Sequence, residues 1–161
     1  MRLLLLVHPA WAICNWNSQT TTLHNYFATL SHAVEKHDGP TVVTHDSCSL
    51  YEDNYFPKAN KVVDQFFAAL RTEPKVTVVK DNGTGKELCK ARNFNKYTHV
   101  TVGGGFIELC ALSTALEVKQ HTTAEVKIDP TLCFKAFSAD PHNNPQLNPY
   151  LTPGRALWEP F

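Results

Sequence analysis

The sequence lacks any hydrophobic run long enough to cross a membrane or to serve as a secretion signal. Its first apolar run, Leu3 to Val7, stops at His8-Pro9. A signal peptide needs about 7–15 apolar residues, and a membrane helix needs about 18 or more. The opening MRLLLLVHPAWAIC can be interpreted as a miniature signal, with Arg2 before the run, or as a buried first strand. The short run favours the strand.

The cysteines form no recognisable motif. The sequence has no C-x-x-C pair and no series of short spacings among its five cysteines, Cys14, Cys48, Cys89, Cys110 and Cys133. An odd, scattered set is typical of free thiols in a reducing compartment and not of a disulfide framework. We therefore expect a cytoplasmic protein.

The chain also has no excess of charge of either sign. Fifteen basic residues balance fifteen acidic ones, so the electrostatic pattern of a nucleic-acid-binding or membrane-surface protein is missing. No polybasic tract or lipidation motif is present. We expect neither a nucleic acid nor a membrane as partner, which leaves a small molecule as the expected ligand.

Two short motifs suggest metal or phosphate chemistry but lack the required spacing. His45, Asp46 and Cys48 are crowded into four positions without the usual second pair of zinc ligands. The stretch Gly83 to Lys86 resembles a phosphate-binding loop, yet the first glycine of that motif is replaced by Lys80 and the final Ser or Thr by a glutamate. We therefore predict a polar loop and a turn, and expect no metal and no cofactor.

What the sequence does contain is an alternation of two patterns within 161 residues that are 43% hydrophobic. This length and composition suit one compact domain. Short apolar runs alternate with stretches at helical spacing, which predicts parallel strands joined by helices that cover both faces of the sheet. The predicted strands are Leu3–Val7, Thr41–Thr44, Val76–Val79, His99–Val102 and Ala124–Ile128. The predicted helices are Thr21–Lys36, Lys61–Arg71, Lys86–Phe94 and Phe106–Gln120, and residues 45–60 are predicted to form a loop.

Residues 130–161 differ from the rest of the chain. They hold six of the ten prolines, interleaved with Asn and with aromatic residues that include Trp158 and Phe161. This composition is too aromatic for a disordered tail. We expect an α/β domain over residues 1–129 and an irregular arm over 130–161, packed on the same domain or on a neighbouring subunit. Because the arm would expose apolar side chains, we expect a homo-oligomer.

Three reactive residues follow predicted strands. His8 follows the first strand, Lys80 ends the third, and Cys110 comes shortly after the fourth at the start of a helix. Ligands of open α/β sheets bind outside the carboxyl ends of the strands. A thiol near a helix N-terminus with a lysine nearby is expected to have a lowered pKa and nucleophilic character. The sequence therefore predicts that these three residues line one pocket.

The segment around Cys110 resembles the nucleophile segment of the isochorismatase-like cysteine hydrolases, which include isochorismatases and nicotinamidases. The family pattern is a Gly, three residues, an acidic residue, one residue, the Cys, then Thr-Ala four and five positions later. Gly104, Glu108, Cys110, Thr114 and Ala115 match it. The stretch VVK is similar to the family's strand carrying a catalytic lysine, and LLLLVHP stands where members read LLVVDPQ, so the resemblance spans residues 3–129.

The resemblance implies a three-layer α/β sandwich with a mainly parallel central sheet and a Cys-Lys-Asp catalytic constellation. It implies that Cys110 is the nucleophile attacking an amide-like carbon and that Lys80 is the lysine stabilising charge. It also implies an unusual cis peptide near Phe106-Ile107, with the backbone N–H groups of Leu109 and Cys110 binding the oxyanion.

The chain departs from this pattern where the family has its aspartate, because His8 stands there. A neutral imidazole is a competent base near pH 7, but His8 could equally cap the first strand. Two functional hypotheses follow. The chain is a divergent cysteine hydrolase that cuts a C–N or related bond of a small molecule, with Cys110, Lys80 and His8 as catalytic residues. Alternatively, it is a catalytically degenerate relative that binds a small ligand or serves as an interaction scaffold.

Overall fold

The computed structural model describes residues 1–15, 20–136 and 143–156. The strands in this part of the chain are β1 (Arg2–Val7), β2 (Thr41–His45), β3 (Val76–Lys80), β4 (His99–Gly105) and β5 (Glu125–Phe134). Within these described residues they form one parallel sheet in the order β3-β2-β1-β4-β5. Each strand begins within a residue or two of its predicted start, and the predicted α/β fold with a parallel central sheet is confirmed.

Helices follow the strands. They are α1 (Thr20–Lys36), α2 (Ser49–Glu52), α3 (Pro57–Leu70), α4 (Lys86–Ala91) and α5 (Leu112–Gln120). Short 3-10 helices cover Pro9–Asn15, Phe94–Lys96 and Asn148–Tyr150, and a π-helix covers Ile107–Ala111. Among the described residues, none of these helices combines the length and the apolar character needed to span a membrane.

The helices cover both faces of the sheet, which explains why β1 is an unbroken apolar run. Residues 3–7 are all buried, because β1 lies at the centre of the sheet with helices above and below it. Leu4 and Leu6 pack toward α1 and α3, whereas Leu3 and Leu5 pack toward α4 and α5. We call these the α1/α3 face and the α4/α5 face.

The predicted loop at residues 45–60 contains helical structure. A short helix, α2, lies within it, and α3 begins at Pro57 and not at Lys61. Proline is favoured at the first helical position because its missing N–H has no intrahelical partner there. The first turn of α3 does not follow the hydrophobic spacing of a helix, because its buried position 60 holds an asparagine. The Asn60 side-chain amide donates to the Tyr51 carbonyl at 2.6 Å.

Strand β5 extends past the predicted boundary at residue 129 and runs through Pro130 to Phe134. Proline lacks the N–H of a ladder bond but is tolerated in an edge strand, and β5 is at the sheet edge. The described part of the arm packs on the same domain: Leu147 is fully buried, and Thr152 N–H donates to the Ile128 carbonyl at 2.8 Å. Residues 137–142 and 157–161, including Trp158 and Phe161, lie outside the described residues.

We predict that Gly104→Ala destabilises the fold far more than Gly154→Ala. Both glycines have a positive φ, 93° and 70°. A Cβ on Gly104 would lie 2.0 Å from the Val7 carbonyl oxygen of β1, whereas nothing lies within 4 Å of one on Gly154. Backbone strain at Gly154 should cost about 1 kcal/mol, and strain plus the clash at Gly104 about 3 kcal/mol or more. Urea denaturation measures both, and equal losses would contradict the packing at Gly104.

Candidate functional site

The loop from Asp81 to Gly85 is held by one buried carboxylate. Asp81 is 1% exposed, and its Oδ1 accepts the N–H groups of Gly83 at 2.8 Å and Gly85 at 3.0 Å. Its Oδ2 accepts the N–H of Leu88, at the start of α4, at 3.0 Å. These N–H groups therefore point inward at a carboxylate. The loop does not have the outward-facing amides that a phosphate-binding loop uses.

His8 lies at the carboxyl end of β1 and is almost completely buried. Its backbone has a positive φ of 44°, and its N–H donates to Thr44 Oγ1 of β2 at 3.2 Å. Its ring Nε2 lies 2.7 Å from the carbonyl oxygen of Asp81. A carbonyl only accepts hydrogen bonds, so Nε2 carries the proton. A neutral His8 then has its lone pair on Nδ1.

Cys110 is brought beside His8 at Gly83. An ideal Cβ built on Gly83 lies 2.6 Å from Cys110 Sγ and 3.0 Å from His8 Cε1. The sulfur and the imidazole carbon are therefore at most about 5.6 Å apart, since both lie that close to one point. Two of the three predicted site residues therefore lie close together, and both border the position that a side chain on Gly83 would occupy.

The segment that carries Cys110 is a π-helix where the sequence predicted an ordinary helical turn. The N–H of Ala111 donates to the Phe106 carbonyl at 3.2 Å, the five-residue spacing of a π-helix. The peptide bond between Gly105 and Phe106 is cis, one bond before the position implied by the resemblance. Of the two predicted oxyanion donors, Leu109 N–H is bound to the Phe106 carbonyl at 3.0 Å, whereas Cys110 N–H lies against its own sulfur.

Lys80 lies away from this locus. Side chains alternate along a strand, and the neighbouring Val79 packs on the α4/α5 face that also holds Cys110. Lys80 is exposed and leaves β3 on the α1/α3 face, and Asp81 takes the following position on the Cys110 side. In the described residues no hydrogen bond or ion pair joins Lys80 to Cys110 or His8, so the catalytic role of Lys80 stays a prediction.

The electrostatic environment of Cys110 differs from the expected one. Burial raises the pKa of the Cys110 thiol, and the nearby carboxylates of Asp46, Asp81 and Glu108 raise it further. The backbone N–H of Cys110 itself has the opposite effect and lowers the pKa of the thiol. The expectation of a thiol pKa lowered by Lys80 is therefore wrong, because negative charges and not a lysine surround the sulfur.

The pKa of His8 is lowered, whereas that of Cys110 is raised. Burial lowers the pKa of the His8 imidazole from 6.5, despite the opposing hydrogen bond to Asp81 and the charge of Asp46. Desolvation disfavours the charged imidazolium. At pH 7 the site thus contains a neutral imidazole beside a neutral thiol.

The other residues that match the family pattern have structural contacts. Glu108 Oε1 accepts the N–H of Ala136 at 2.8 Å, which ties the π-helix to the chain after β5. Thr114 is buried, and its hydroxyl donates to the Gly83 carbonyl at 3.5 Å. Ala115 is fully buried in the core on the α4/α5 face. These contacts position the loop and the helix on either side of Cys110.

Asp46 and Asp81 are the site residues that sequence reasoning missed. The Asp81-Asn82-Gly83 stretch signalled only a turn, although aspartate is favoured at turns because it accepts nearby backbone N–H groups. The position of Asp46 beside His45 and Cys48 suggests a metal ligand and gives no sign of a role near Cys110. Among the described residues no group of three potential metal ligands occurs. His45 instead packs against Phe67, and Cys48 is buried in the core on the α1/α3 face.

Comparisons with solved structures agree with this architecture. The chain resembles a nicotinamidase from Staphylococcus aureus (TM-score 0.53, 14% identity, 85% of each chain covered). It also resembles a pyrazinamidase/nicotinamidase from Streptococcus mutans (TM-score 0.52, 12% identity, 84% of this chain and 88% of that chain). A third is N-carbamoylsarcosine amidase from Thermoplasma acidophilum (TM-score 0.57, 11% identity, 99% of this chain and 98% of that chain).

The chain has the isochorismatase-like fold. No protein-family model matches the sequence, and no curated protein matches it in sequence. At 11–14% identity the likeness establishes the fold.

We predict that alkylation of Cys110 by iodoacetamide is slow at pH 7 and accelerates through a pKa above the ordinary 9.0, because the reagent reacts with the thiolate. Asp46→Asn removes one of the negative charges that raise this pKa. It should speed alkylation at pH 7 roughly two- to fivefold, since one pKa unit changes the thiolate fraction about tenfold. Mass spectrometry of the labelled Cys110 peptide measures the rate.

Two controls accompany this measurement. Asp53→Asn makes the same charge change at an exposed residue outside the site and should leave the rate unaltered. Lys80→Ala should also leave it unaltered if Lys80 stays on the α1/α3 face. Slower labelling of Lys80→Ala would instead show that the lysine reaches the thiol, as the resemblance implies.

Proposed function

We propose that the chain is a divergent isochorismatase-like cysteine hydrolase that cuts a C–N bond in a small amide-like molecule. The observation that carries this proposal is that Cys110 Sγ and His8 Cε1 lie 2.6 Å and 3.0 Å from the same point, the position of an ideal Cβ on Gly83. A thiol beside a base at the carboxyl edge of a parallel sheet is the arrangement that nucleophilic catalysis needs. The shared fold with solved amidases supports the same class of reaction.

In the proposed mechanism His8 acts as a general base toward a neutral thiol. Cys110 Sγ attacks the amide carbon while His8 Nδ1 takes the thiol proton, forming a C–S bond and an oxyanion. The oxyanion collapses, the C–N bond breaks, and the imidazolium gives its proton to the departing nitrogen. Water then attacks the thioester, again losing a proton to His8, and the acid and the Cys110 thiol are released.

The raised pKa of Cys110 and the lowered pKa of His8 are what favour this order of events. A thiolate–imidazolium pair would place two charges in a buried site where Asp46 and Asp81 already disfavour a further negative charge. Proton transfer during attack avoids forming that ion pair in the resting state. The N–H of Cys110, which lies against its own sulfur, is the oxyanion donor best placed for this reaction.

A second candidate function has its own supporting observations. Cys110 is not activated by a positive charge, and Lys80 leaves the sheet on the opposite face. These features favour a catalytically degenerate relative that binds a small ligand at the same locus. The two candidates differ in whether Cys110 and His8 turn over any amide.

We predict that the protein hydrolyses at least one member of a panel of small amides that includes nicotinamide, and that Cys110→Ala abolishes the reaction. Since His8 must be neutral to act as base, kcat/KM should fall as the pH drops through the His8 pKa, which lies below 6.5. His8→Asp should move that acid limb. Release of ammonia or amine measures the rate. A native protein that is inert throughout, with ligand binding detected by calorimetry, would establish the second candidate.

We also predict that filling the space at Gly83 blocks the reaction. A methyl on Gly83 would lie 2.6 Å from Cys110 Sγ, whereas one on Gly85 would meet Thr114 Cα at 3.1 Å. Both glycines have a positive φ, so the two alanine variants share the backbone strain. Gly83→Ala should lose more than about tenfold in kcat relative to Gly85→Ala, since misplacement by an ångström costs that much or more. Equal activity of the two variants would remove Cys110 and His8 from the mechanism.

A further inference from the structure

The two edges of the sheet differ in how they are covered. At the β5 edge the chain's own arm lies alongside: Leu151 bridges to Ile128, and the N–H and hydroxyl of Thr152 both donate to the Ile128 carbonyl, at 2.8 Å and 3.0 Å. At the opposite edge, β2 is the only strand that pairs with β3 among the described residues. The free N–H and C=O groups of an open edge strand are a template for pairing with another chain.

The hydrogen bonds to β2 show which backbone groups of β3 face outward. The N–H of Thr41 donates to the Lys75 carbonyl at 2.9 Å, and the N–H of Asp81 donates to the His45 carbonyl at 3.1 Å. Successive residues of a strand in a parallel ladder face the neighbouring strand and face away from it in turn. The odd-numbered residues of β3 therefore bond to β2, and the even-numbered residues direct their backbone groups away from the sheet.

These outward residues are Val76, Val78 and Lys80. The Val76 N–H donates to the Glu73 carbonyl at 3.1 Å, in the turn before the strand. The Val76 carbonyl and both backbone groups of Val78 and Lys80 have no hydrogen bond within the described part of the chain. The sequence VTVVK contains no proline, and its pairing with β2 runs without a bulge. Proline and bulges are two of the features that protect edge strands, and β3 has neither.

We propose that β3 pairs antiparallel with β3 of a second copy of this chain, across a two-fold axis at Val78. Two-fold contacts of this self-complementary kind are the commonest in homo-oligomers. In this register the N–H and C=O of Val78 bond to the same residue of the other copy, and the Lys80 N–H bonds to the Val76 carbonyl of the other copy. Every free outward N–H of β3 then meets a free outward carbonyl. This inference is independent of the hydrolase proposal and uses a surface distinct from the arm.

Charge at the two ends of β3 favours the antiparallel orientation. Glu73 precedes the strand and Lys80 ends it; both are exposed, and neither forms an ion pair in the described residues. Lys75 is turned onto the end of α1, where its ammonium donates to the Glu35 and His37 carbonyls at 3.2 Å and 2.6 Å. Antiparallel pairing brings Lys80 of each copy toward Glu73 of the other, so opposite charges meet at both ends. An edge lysine ordinarily discourages strand addition, and this acid offsets it.

The side chain at the proposed axis is apolar and exposed. Val78 is 44% exposed and borders a cavity of about 230 Å³ that is also lined by Phe67, Tyr51, Arg71 and His45. Directly opposite residues of a hydrogen-bonded antiparallel pair have Cα atoms about 5.5 Å apart. The two Val78 side chains would therefore cover each other, and pairing would remove from water apolar surface that the single chain leaves exposed.

Size-exclusion chromatography with light scattering tests the pairing on the full chain. We expect the native protein at micromolar concentration to have twice the 18.0 kDa mass of one chain. Val78→Lys should be a folded monomer, because like charges would lie directly opposite each other at the axis. Leu109→Lys makes the same change at an exposed apolar residue of the π-helix and should remain a dimer. A native monomer, or a Val78→Lys variant that stays dimeric, would overturn the proposal.

Exchanging the charges at the ends of β3 gives a second test that leaves Val78 intact. Lys80→Glu should raise the Kd of the dimer about tenfold, since it replaces two attractive contacts, one from each copy, by two repulsive ones. Adding Glu73→Lys to the same chain should restore the native Kd, because opposite charges meet again. Analytical ultracentrifugation measures the three constants. A double variant that dimerises no more tightly than Lys80→Glu would contradict the antiparallel register.

Discussion

The site geometry depends on the hydrogen bonds that the buried carboxylate of Asp81 accepts. It accepts three backbone N–H groups, from Gly83, Gly85 and Leu88, and so fixes both the loop and the start of α4. Hydrogen bonds to an ionised group are among the strong ones in proteins. The same residue's carbonyl oxygen accepts His8 Nε2–H. One residue thus places Gly83 between Cys110 and His8 and also selects the tautomer of the base.

This arrangement has an electrostatic consequence. The Asp81 carboxylate that holds the loop also raises the pKa of the Cys110 thiol, and Asp46, which follows β2, acts in the same direction. Both disfavour a thiolate at Cys110, while burial keeps His8 neutral. A site built this way stabilises the neutral pair at rest. The proposed hydrolysis at neutral pH would therefore move the thiol proton of Cys110 as the new bond forms.

Strands β1, β2 and β4 could be predicted from the sequence because they are short, largely buried runs with the composition of a covered parallel sheet. The errors arose where local chemistry overrides pattern. Pro130 suggested that the last strand had ended, but an edge strand tolerates proline. The first turn of α3 was missed because a polar residue such as Asn60 is expected at the surface, whereas here its amide is buried and bonded to a backbone carbonyl.

The sequence predicts where the candidate site lies on the sheet but not how its side chains are oriented. Topology predicts that His8, Lys80 and Cys110 follow strands at one edge of the sheet. It does not give the face on which each side chain leaves. That depends on alternation along β3, which directs Lys80 to the α1/α3 face. Nor does spacing reveal that the Asp81 side chain turns inward to bind the backbone.

The residues that match the family pattern differ in what they say about activity. A side chain at Gly104 would collide with β1, Thr114 supports the loop at Gly83, and Ala115 is a core residue. Packing and loop support account for Gly104, Thr114 and Ala115. These residues are therefore evidence for the fold and give no information about catalysis. Cys110 is different, because its half-buried sulfur and the His8 imidazole both lie close to the position of a side chain on Gly83. Catalysis at Cys110 is supported by that juxtaposition and not by the length of the matching motif.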